Sequence, residues 1–199
     1  MKIEMKNPDF INKYLKEMQE IIKNLSKDDI DKVVEILFEA WKNEKQIFTM
    51  GNGGSASTAT HLAAELSKTT IVEGKKRFRA FCLNDNIPLV SAWTNDSGFD
   101  NIFKGQLENV IHAGDVVIGI SVHGGSGWSA NLIKAIEYAK SKKAMTIGLA
   151  GFDGGLMKKI CDACIVVPME STPHVESFHV VLQHLIIFCL KEKIRNHEE

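Results

Sequence analysis

The chain has 199 residues, of which 44% are hydrophobic and 25% charged, and its formal net charge is −1. Such a length and composition are those of one globular domain that can bury a sizeable core. The near-neutral balance gives no electrostatic reason to expect nucleic acid or a membrane surface as a partner.

The first 45 residues predict two amphipathic helices. Apolar residues at helical spacing run from residue 8 to 25, and a second set runs from Ile30 to about Asn43. Ser26 precedes two acidic residues, which is the pattern of an N-cap followed by a negatively charged first turn. The two helices could cover one face of a sheet or pair with another subunit, and the sequence leaves both possibilities open.

From residue 46 onward, short apolar strands alternate with helices. The predicted strands are Gln46–Met50, Phe78–Leu83, Val116–Ser121, Met145–Ala150 and Cys164–Pro168. The predicted helices are Ser55–Lys68, a short one near Ile87–Trp93, Phe99–His112, Ser129–Ser141, a short one at Gly155–Ile160 and roughly Pro173–Lys193. This alternation indicates a parallel sheet that binds ligands at the carboxyl ends of its strands. We predict a single α/β domain over residues 1–199, with two helices in 1–45 and a three-layer αβα sandwich around a five-stranded parallel sheet in 46–199.

Export and disulfide signals are missing from the sequence. Residues 1–6 lack the apolar core of a signal peptide, and no apolar run approaches the roughly 20 residues of a membrane span. Only Cys161 and Cys164 among the four cysteines form a C-x-x-C pair, and no second pair completes a zinc site. We therefore expect a cytoplasmic protein with reduced, structural thiols.

Three predicted loops are rich in small polar residues: Gly51–Ser57, Trp93–Gly98 and Ser121–Ser129. The first and third lead from a strand into a helix, where glycines and free N–H groups of the first helical turn can bind an oxyanion. A Walker motif and a complete G-x-G-x-x-G pattern are both missing, which argues against nucleotide hydrolysis and NAD binding. Although glycine and serine are also common turn residues, the repeated pattern favours a phosphorylated small molecule as ligand.

Two of the predicted helices carry histidine and carboxylate side chains. His61 and Glu65 lie one turn apart after the first loop, whereas Glu176 and His184 lie two turns apart on the last helix. If the helices meet, these side chains suit either a Zn²⁺ site or a metal-free acid/base pair. The alternative is an exposed helix edge or hydrogen-bonded core histidines, and spacing alone does not decide between them.

Several separated motifs resemble the sedoheptulose 7-phosphate isomerase (phosphoheptose isomerase) family of the sugar isomerase (SIS) domain superfamily. The resemblance is carried by Gly51–Ser55, by His61 with Glu65, by Asn95-Asp96 before Gly98-Phe99, by Asp153–Gly155, and by His179 with His184. It covers nearly the whole chain, and the motifs occur in the family's order. The resemblance implies an SIS-type fold, a phosphorylated sugar as substrate, and a homotetramer with active sites at subunit interfaces.

The activity implied by the resemblance is aldose–ketose isomerisation. Sedoheptulose 7-phosphate would be converted to D-glycero-D-manno-heptose 7-phosphate through an enediol, supplying heptose for surface polysaccharide. Because this reaction moves a proton between adjacent carbons, we expect Glu65 as the catalytic base and His184 as the acid or proton shuttle. The resemblance also implies one Zn²⁺ per subunit, held by His61, Glu65, Glu176 and His184. The implied substrate-binding residues are Asn52, Gly53, Gly54, Ser55, Glu65, Asn95, Asp96, Ser121, Val122, His123, Ser126, Ser129 and Glu176.

Two departures from the family pattern bear on the substrate. The third loop usually reads Ser-Thr-Ser-Gly-Asn-Ser, whereas here it is longer and has Val122 and His123 in place of two hydroxyl residues. Glu176 occupies a position where the family commonly has glutamine, and Ser171 lies near the usual position of an aspartate. An isomerase for a different sugar phosphate therefore stays open as an alternative.

A non-catalytic member is the other alternative, such as a sugar-phosphate-binding protein or the scaffold type that binds the bacterial replication initiator protein. The presence of His61, Glu65 and His184 together argues against it. A scaffold has no need of an acid/base set.

Overall fold

Residues 6–198, which the computed structural model describes, form five strands and eight α-helices. The strands are β1 (Gln46–Gly51), β2 (Arg79–Cys82), β3 (Val116–Ser121), β4 (Met145–Gly151) and β5 (Ala163–Val167). The helices are α1 (Asn7–Asn24), α2 (Lys27–Lys42), α3 (Gly54–Lys68), α4 (Ile87–Ser97), α5 (Ile102–Val110), α6 (Ala130–Ser141), α7 (Met157–Ile160) and α8 (Thr172–Asn196). Residues 1–5, which belong to the segment predicted to lack a signal peptide core, lie outside the described range.

The five strands form one parallel sheet in the order β2-β1-β3-β4-β5. The predicted five-stranded parallel sheet is confirmed, and each predicted strand end lies within one residue of the observed end. After β1 the chain adds β2 on one side and β3 on the other. The strand order therefore reverses between the carboxyl ends of β1 and β3, which is the position where open α/β sheets bind ligands.

Helices cover both faces of the sheet, as the predicted αβα sandwich requires. One face packs against α2, α3 and α8 in a core that includes Leu37, Leu66 and Phe178. The other face packs against α5, α6 and α7 around Phe103 and Ile136. Every residue of the central strand β3 is buried, so its continuous apolar run reflects cover on both sides.

The two N-terminal helices differ in how they are buried. The side chain of Ser26 accepts a hydrogen bond from the backbone N–H of Asp29, so the predicted N-cap of α2 is confirmed. Helix α2 packs against α8 and β5 and covers part of the sheet face. On α1, only Ile21 is buried. The apolar side chains that α1 leaves exposed are Phe10, Ile11, Leu15 and Ile22.

The predicted loop Trp93–Gly98 is wrong, because all of it except Gly98 belongs to helix α4. The Asn86 side chain caps the helix at Leu89, and the Thr94 hydroxyl donates to the carbonyl of Val90 at 2.8 Å. Small polar residues can therefore continue this exposed helix until Gly98, whose φ of 82° ends it. The predicted helix Phe99–His112 instead begins with a 3₁₀ turn and ends at Val110.

Burial affects the two thiols of the C-x-x-C pair and the apolar helix α8. It raises the pKa of Cys161 and Cys164 to about 12, so both thiols stay protonated at neutral pH. By length and composition alone, α8 is apolar enough to cross a membrane, although no such segment was expected from the sequence. Half of its most apolar stretch is buried within the domain, as in a core helix.

Candidate active site

A cavity of about 250 Å³ lies at the carboxyl ends of β1 and β3. Its polar lining comes from three parts of the chain: the loop after β1, the loop after β3, and the start of α8. The hydroxyl and amide groups that line it belong to Asn52, Ser55, Ser121, Ser129 and Thr172. The cavity therefore occupies the position in the sheet where the strand order predicts a ligand.

Three helices point their N-termini at this cavity. Ser55 lies in the first turn of α3, Ser129 immediately precedes α6, and Thr172 is the first residue of α8. In none of the three does an N-cap side chain accept a hydrogen bond from the first turn. Helix N-termini carry partial positive charge and free N–H groups, so their convergence suits an oxyanion such as phosphate.

The cavity contains little formal charge. Among residues 6–198, no lysine or arginine lines it, and its one carboxylate is that of Glu176. That carboxylate lies beside the start of α3, because a Cβ atom added to Gly54 would be 2.5 Å from Glu176 Oε1. An anionic ligand would therefore be held by helix ends and hydroxyl groups, with Glu176 available for sugar hydroxyls.

Close backbone packing shapes the first loop. A Cβ atom on Gly51 would lie 2.3 Å from the carbonyl oxygen of Ser55, so only glycine fits where the strand turns into α3. The Asn84 side chain binds both the N–H and the carbonyl of Gly51, at 3.1 and 2.9 Å. The amides of Asn52 and Asn131 exchange two hydrogen bonds of 2.9 Å and connect this loop to α6.

Further along α3, the structure brings together His61, Glu65 and His184. The Nε2 atom of His61 lies 3.7 Å from a carboxylate oxygen of Glu65, and the rings of His61 and His184 meet edge to face at 5.1 Å. The His61 and Glu65 side chains are 44% and 23% exposed, so a ligand or another subunit can reach them. This set combines a carboxylate with two imidazoles, which are the usual proton-transfer groups of enzymes.

The acid/base set and the cavity are separated along α3. Ser55 and Glu65 are ten residues apart, which corresponds to about 15 Å along a helix. His61, Glu65 and His184 do not line the cavity of the same chain. The sequence analysis placed the two features on one helix but did not predict this distance between them.

Comparison with known proteins assigns the fold to a family. The family model of the SIS domain matches residues 10–151. The phosphoheptose isomerase of Geotalea daltonii is 40% identical over 184 residues, covering 92% of this chain and 93% of that protein. The chain belongs to the phosphoheptose isomerase family of SIS domain proteins.

Two further relatives extend the comparison. The structure of phosphoheptose isomerase GmhA from Neisseria gonorrhoeae superposes with a TM-score of 0.84 at 29% identity, covering 94% of this chain and all of that one. The lincomycin biosynthesis protein LmbN of Streptomyces lincolnensis is 40% identical over 170 residues. That match covers 82% of this chain but only 62% of LmbN.

The predicted substrate-binding residues fall into two groups in this SIS domain. Those that line the cavity are Asn52, Ser55, Ser121, Val122, His123, Ser129 and Glu176. The remainder lie outside its lining, and of these Gly53 and Gly54 form the exposed start of α3. Ser126 is exposed on the third loop, and Asn95 and Asp96 lie exposed on α4, hydrogen-bonded to each other at 2.7 Å. One chain therefore does not bring Asn95, Asp96 or Ser126 into the cavity.

The predicted metal ligands are only partly brought together. Within residues 6–198, no three His, Cys, Asp or Glu side chains form a group placed to hold a metal ion. His61, Glu65 and His184 are neighbours, whereas Glu176 turns toward Gly54 at the cavity. Glu176 and His184 are eight residues apart on α8, or about 12 Å along the helix. The predicted four-ligand arrangement is therefore not formed by these side-chain positions.

Three residues of the site were missed by the sequence analysis. Thr172 and Trp128 line the cavity, and the fully buried Gln183 places its amide 2.6 Å from His61 Nδ1. A helix start after a strand could have indicated Thr172, but nothing in the spacing indicated the other two. Ser171, at the position near the family's aspartate, contacts His174 Nδ1 at 2.7 Å and does not line the cavity.

Proposed function

We propose that this protein is an aldose–ketose isomerase that converts sedoheptulose 7-phosphate to D-glycero-D-manno-heptose 7-phosphate. The observation that carries the proposal is an oxyanion cavity at the start of α3, together with a set formed by His61 and Glu65 of the same helix and His184 of α8. Its relatives include phosphoheptose isomerases that are about 40% identical over most of their length. Because these relatives are named phosphoheptose isomerases, we expect the product to be a phosphorylated heptose.

The cavity would bind the phosphate and orient the sugar. The positive N-terminal ends of α3, α6 and α8 would face the phosphate oxygens, and the hydroxyls of Ser121 and Ser129 would donate to them. Asn52 and Glu176 would bind sugar hydroxyls. Because these contacts exist in both the ground state and the transition state, they would lower KM more than they raise kcat.

Proton transfer would fall to Glu65 and His184. The Glu65 carboxylate would remove a proton from the carbon next to the ketone, while His184 would donate a proton to the ketone oxygen and take one from the neighbouring hydroxyl. Glu65 would then return its proton to the former carbonyl carbon. The resulting aldose has the same atoms and charge as the ketose, so no oxidant or reductant is needed.

We also propose that His61, Glu65 and His184 hold one Zn²⁺ per subunit after their side chains rearrange, because no three such groups within residues 6–198 are already placed around one metal position. Three protein ligands with one open position are typical of catalytic zinc, and these three side chains are neighbours. The amide of the buried Gln183 contacts His61 Nδ1 at 2.6 Å through its nitrogen, and its oxygen has no partner among the described residues. Turning the amide would let that oxygen accept the Nδ1–H of His61 and leave Nε2 free for a metal. When bound, the zinc would polarise the carbonyl and stabilise the enediolate, and Glu65 and His184 would have to release it before they transfer protons.

Elemental analysis of protein purified without chelator tests the metal proposal. We expect about one zinc per chain in the wild type, and loss of the metal in His61→Ala and His184→Ala. Glu176→Ala is the matched control, and it should keep the metal because its carboxylate lies at the cavity. Metal-free wild type with full isomerase activity would contradict zinc, and loss of zinc in Glu176→Ala would contradict the three-ligand version.

The quaternary arrangement that we propose is a homotetramer with active sites between subunits. Exposed Val181, Leu185 and Phe188 surround His184 on α8, and α1 exposes a further apolar face. Clustered exposed apolar side chains are typical of a protein interface. An interface here could bring the acid/base set of one chain to the cavity of another, which one chain does not achieve alone.

We propose the cytoplasm as the site of this metabolic reaction.

Isomerisation in deuterated water tests the activity directly. Incubation with sedoheptulose 7-phosphate should yield aldose that carries deuterium at the carbon next to its carbonyl, because the enediol exchanges protons with the base and solvent. Binding without product or exchange would instead support a non-catalytic member. If the protein neither binds sedoheptulose 7-phosphate nor exchanges its protons, the result would contradict this substrate. It would favour another sugar phosphate, which is the alternative that the altered third loop suggests.

A further inference from the structure

Trp128 is exposed although it lines the candidate active site. Its side chain is 68% accessible to solvent, whereas Trp41 is 1% accessible and lies in the core. The residue belongs to the loop between β3 and α6, which is the part of the chain that departs from the family pattern. A large apolar ring at the mouth of a ligand cavity is available to a ligand rather than to the protein core.

The third loop holds this tryptophan through an aromatic stack. The ring of His123 contacts that of Phe152, with ring centroids 4.5 Å apart, and that of Trp128, at 6.0 Å with an interplanar angle of 29°. Two backbone hydrogen bonds of 2.9 Å fasten the same loop, from the N–H of Gly151 to Val122 and from that of Met157 to Gly124. These ring contacts and hydrogen bonds fix the loop and therefore the position of the indole on the cavity wall.

The indole also borders a second cavity. This cavity of about 570 Å³ shares Trp128 and Ser129 with the first. Its wall includes an ion pair between Lys134 and Asp100 at 3.2 Å. The indole therefore borders both cavities and can pack against a molecule that occupies the first.

We propose that Trp128 is a sugar-binding platform that sets substrate specificity. Its indole face packs against the C–H groups of the sugar carbon chain while the phosphate occupies the helix N-termini of the same cavity. An indole removes a large apolar area from water on contact, which the hydroxyl residues usual in this loop cannot do. The proposal rests on the proposed function, because it assigns a binding role for the same substrate class.

Substitution of Trp128 tests this role by comparing a sugar phosphate with inorganic phosphate. We expect Trp128→Ala to raise KM for sedoheptulose 7-phosphate about tenfold, with kcat nearly unchanged. The inhibition constant of inorganic phosphate should not change, because phosphate does not reach the indole. Trp128→Phe should recover most of the lost affinity. Leu156→Ala, which removes an exposed apolar residue from the second cavity only, is the matched control and should leave KM unchanged.

Tryptophan fluorescence supplies a readout that does not depend on turnover. Sedoheptulose 7-phosphate should shift the wild-type emission to the blue by covering an exposed indole, and the shift should be missing in Trp128→Phe. If Trp128→Ala leaves the enzyme active with an unchanged KM, the role of Trp128 as a sugar-binding platform is contradicted, whereas the proposed isomerase function stands. Equal weakening of sugar phosphate and inorganic phosphate would also overturn the platform, since the substitution would then have deformed the loop. Wild type that neither binds nor isomerises the sugar phosphate would overturn the proposed function and the platform with it.

Discussion

Glu65→Gln is expected to lower kcat by about 10²- to 10⁴-fold, the usual contribution of a general base. Glutamine has nearly the shape of glutamate but cannot accept the substrate proton, so folding should be unchanged and chemistry should fail. Steady-state kinetics of the variant measures the effect. The same substitution at Glu108, an exposed residue paired with Lys104, is the control for a lost surface charge and should leave kcat as it is. Near wild-type turnover in Glu65→Gln would remove this carboxylate from the mechanism.

Mixed assemblies of two variants test whether Glu65 of one chain acts at the cavity of another chain. Ser129→Asp should abolish phosphate binding by placing a negative charge in the cavity, and Ser129 has a left-handed φ of 57°, which aspartate tolerates. If sites are shared between subunits, co-expressed Glu65→Gln and Ser129→Asp chains should form some sites with an intact cavity and an intact base. Recovered activity is then expected. Inactive mixed assemblies would contradict shared sites, and a monomer in sedimentation would contradict the oligomer itself.

The sheet and its helical cover could be predicted from the sequence because burial leaves a clear pattern. β3 is buried on both faces and appears in the sequence as an uninterrupted apolar run with the bounds that the structure has. Helix α3 was placed within one residue, since a strand, a glycine-rich turn and helical apolar spacing follow one another there. Such local signals also located the cavity, because both Gly/Ser loops follow strands that flank the reversal of strand order.

Segments without burial could not be predicted in the same way. Helix α4 buries none of its residues, so Trp93–Ser97 shows no apolar period and resembles a loop in sequence. The distance between Glu65 and the cavity was missed for a related reason. Spacing indicates which residues lie on the same face of a helix. It does not indicate whether a ligand bound at the start of α3 can reach a residue further along that helix. The direction of the Glu176 side chain depends on its contact with Gly54, which spacing does not encode.

Acid conditions are expected to destabilise the protein through His179. This side chain is fully buried, and its Nε2 atom donates to the carbonyl of Ala150 at 3.2 Å. Burial lowers the pKa of His179 to about 4, from an ordinary value of 6.5. The folded state therefore keeps the ring neutral where the unfolded chain binds a proton. The stability is fully present above pH 6.5 and falls as the pH drops toward 4, by about 1.4 kcal/mol per pH unit.

A variant that keeps the hydrogen bond but cannot titrate isolates this contribution. His179→Gln retains an N–H donor for Ala150, so it should carry only a constant offset in stability. Urea unfolding at fixed protein concentration measures both proteins at pH 7.5 and at pH 4.5. Between these conditions the wild type should lose about 2–3 kcal/mol more unfolding free energy than the variant. Groups other than residue 179 are the same in both proteins and cancel in the difference. Equal losses in the two proteins would show that His179 is not the group whose protonation unfolds the domain.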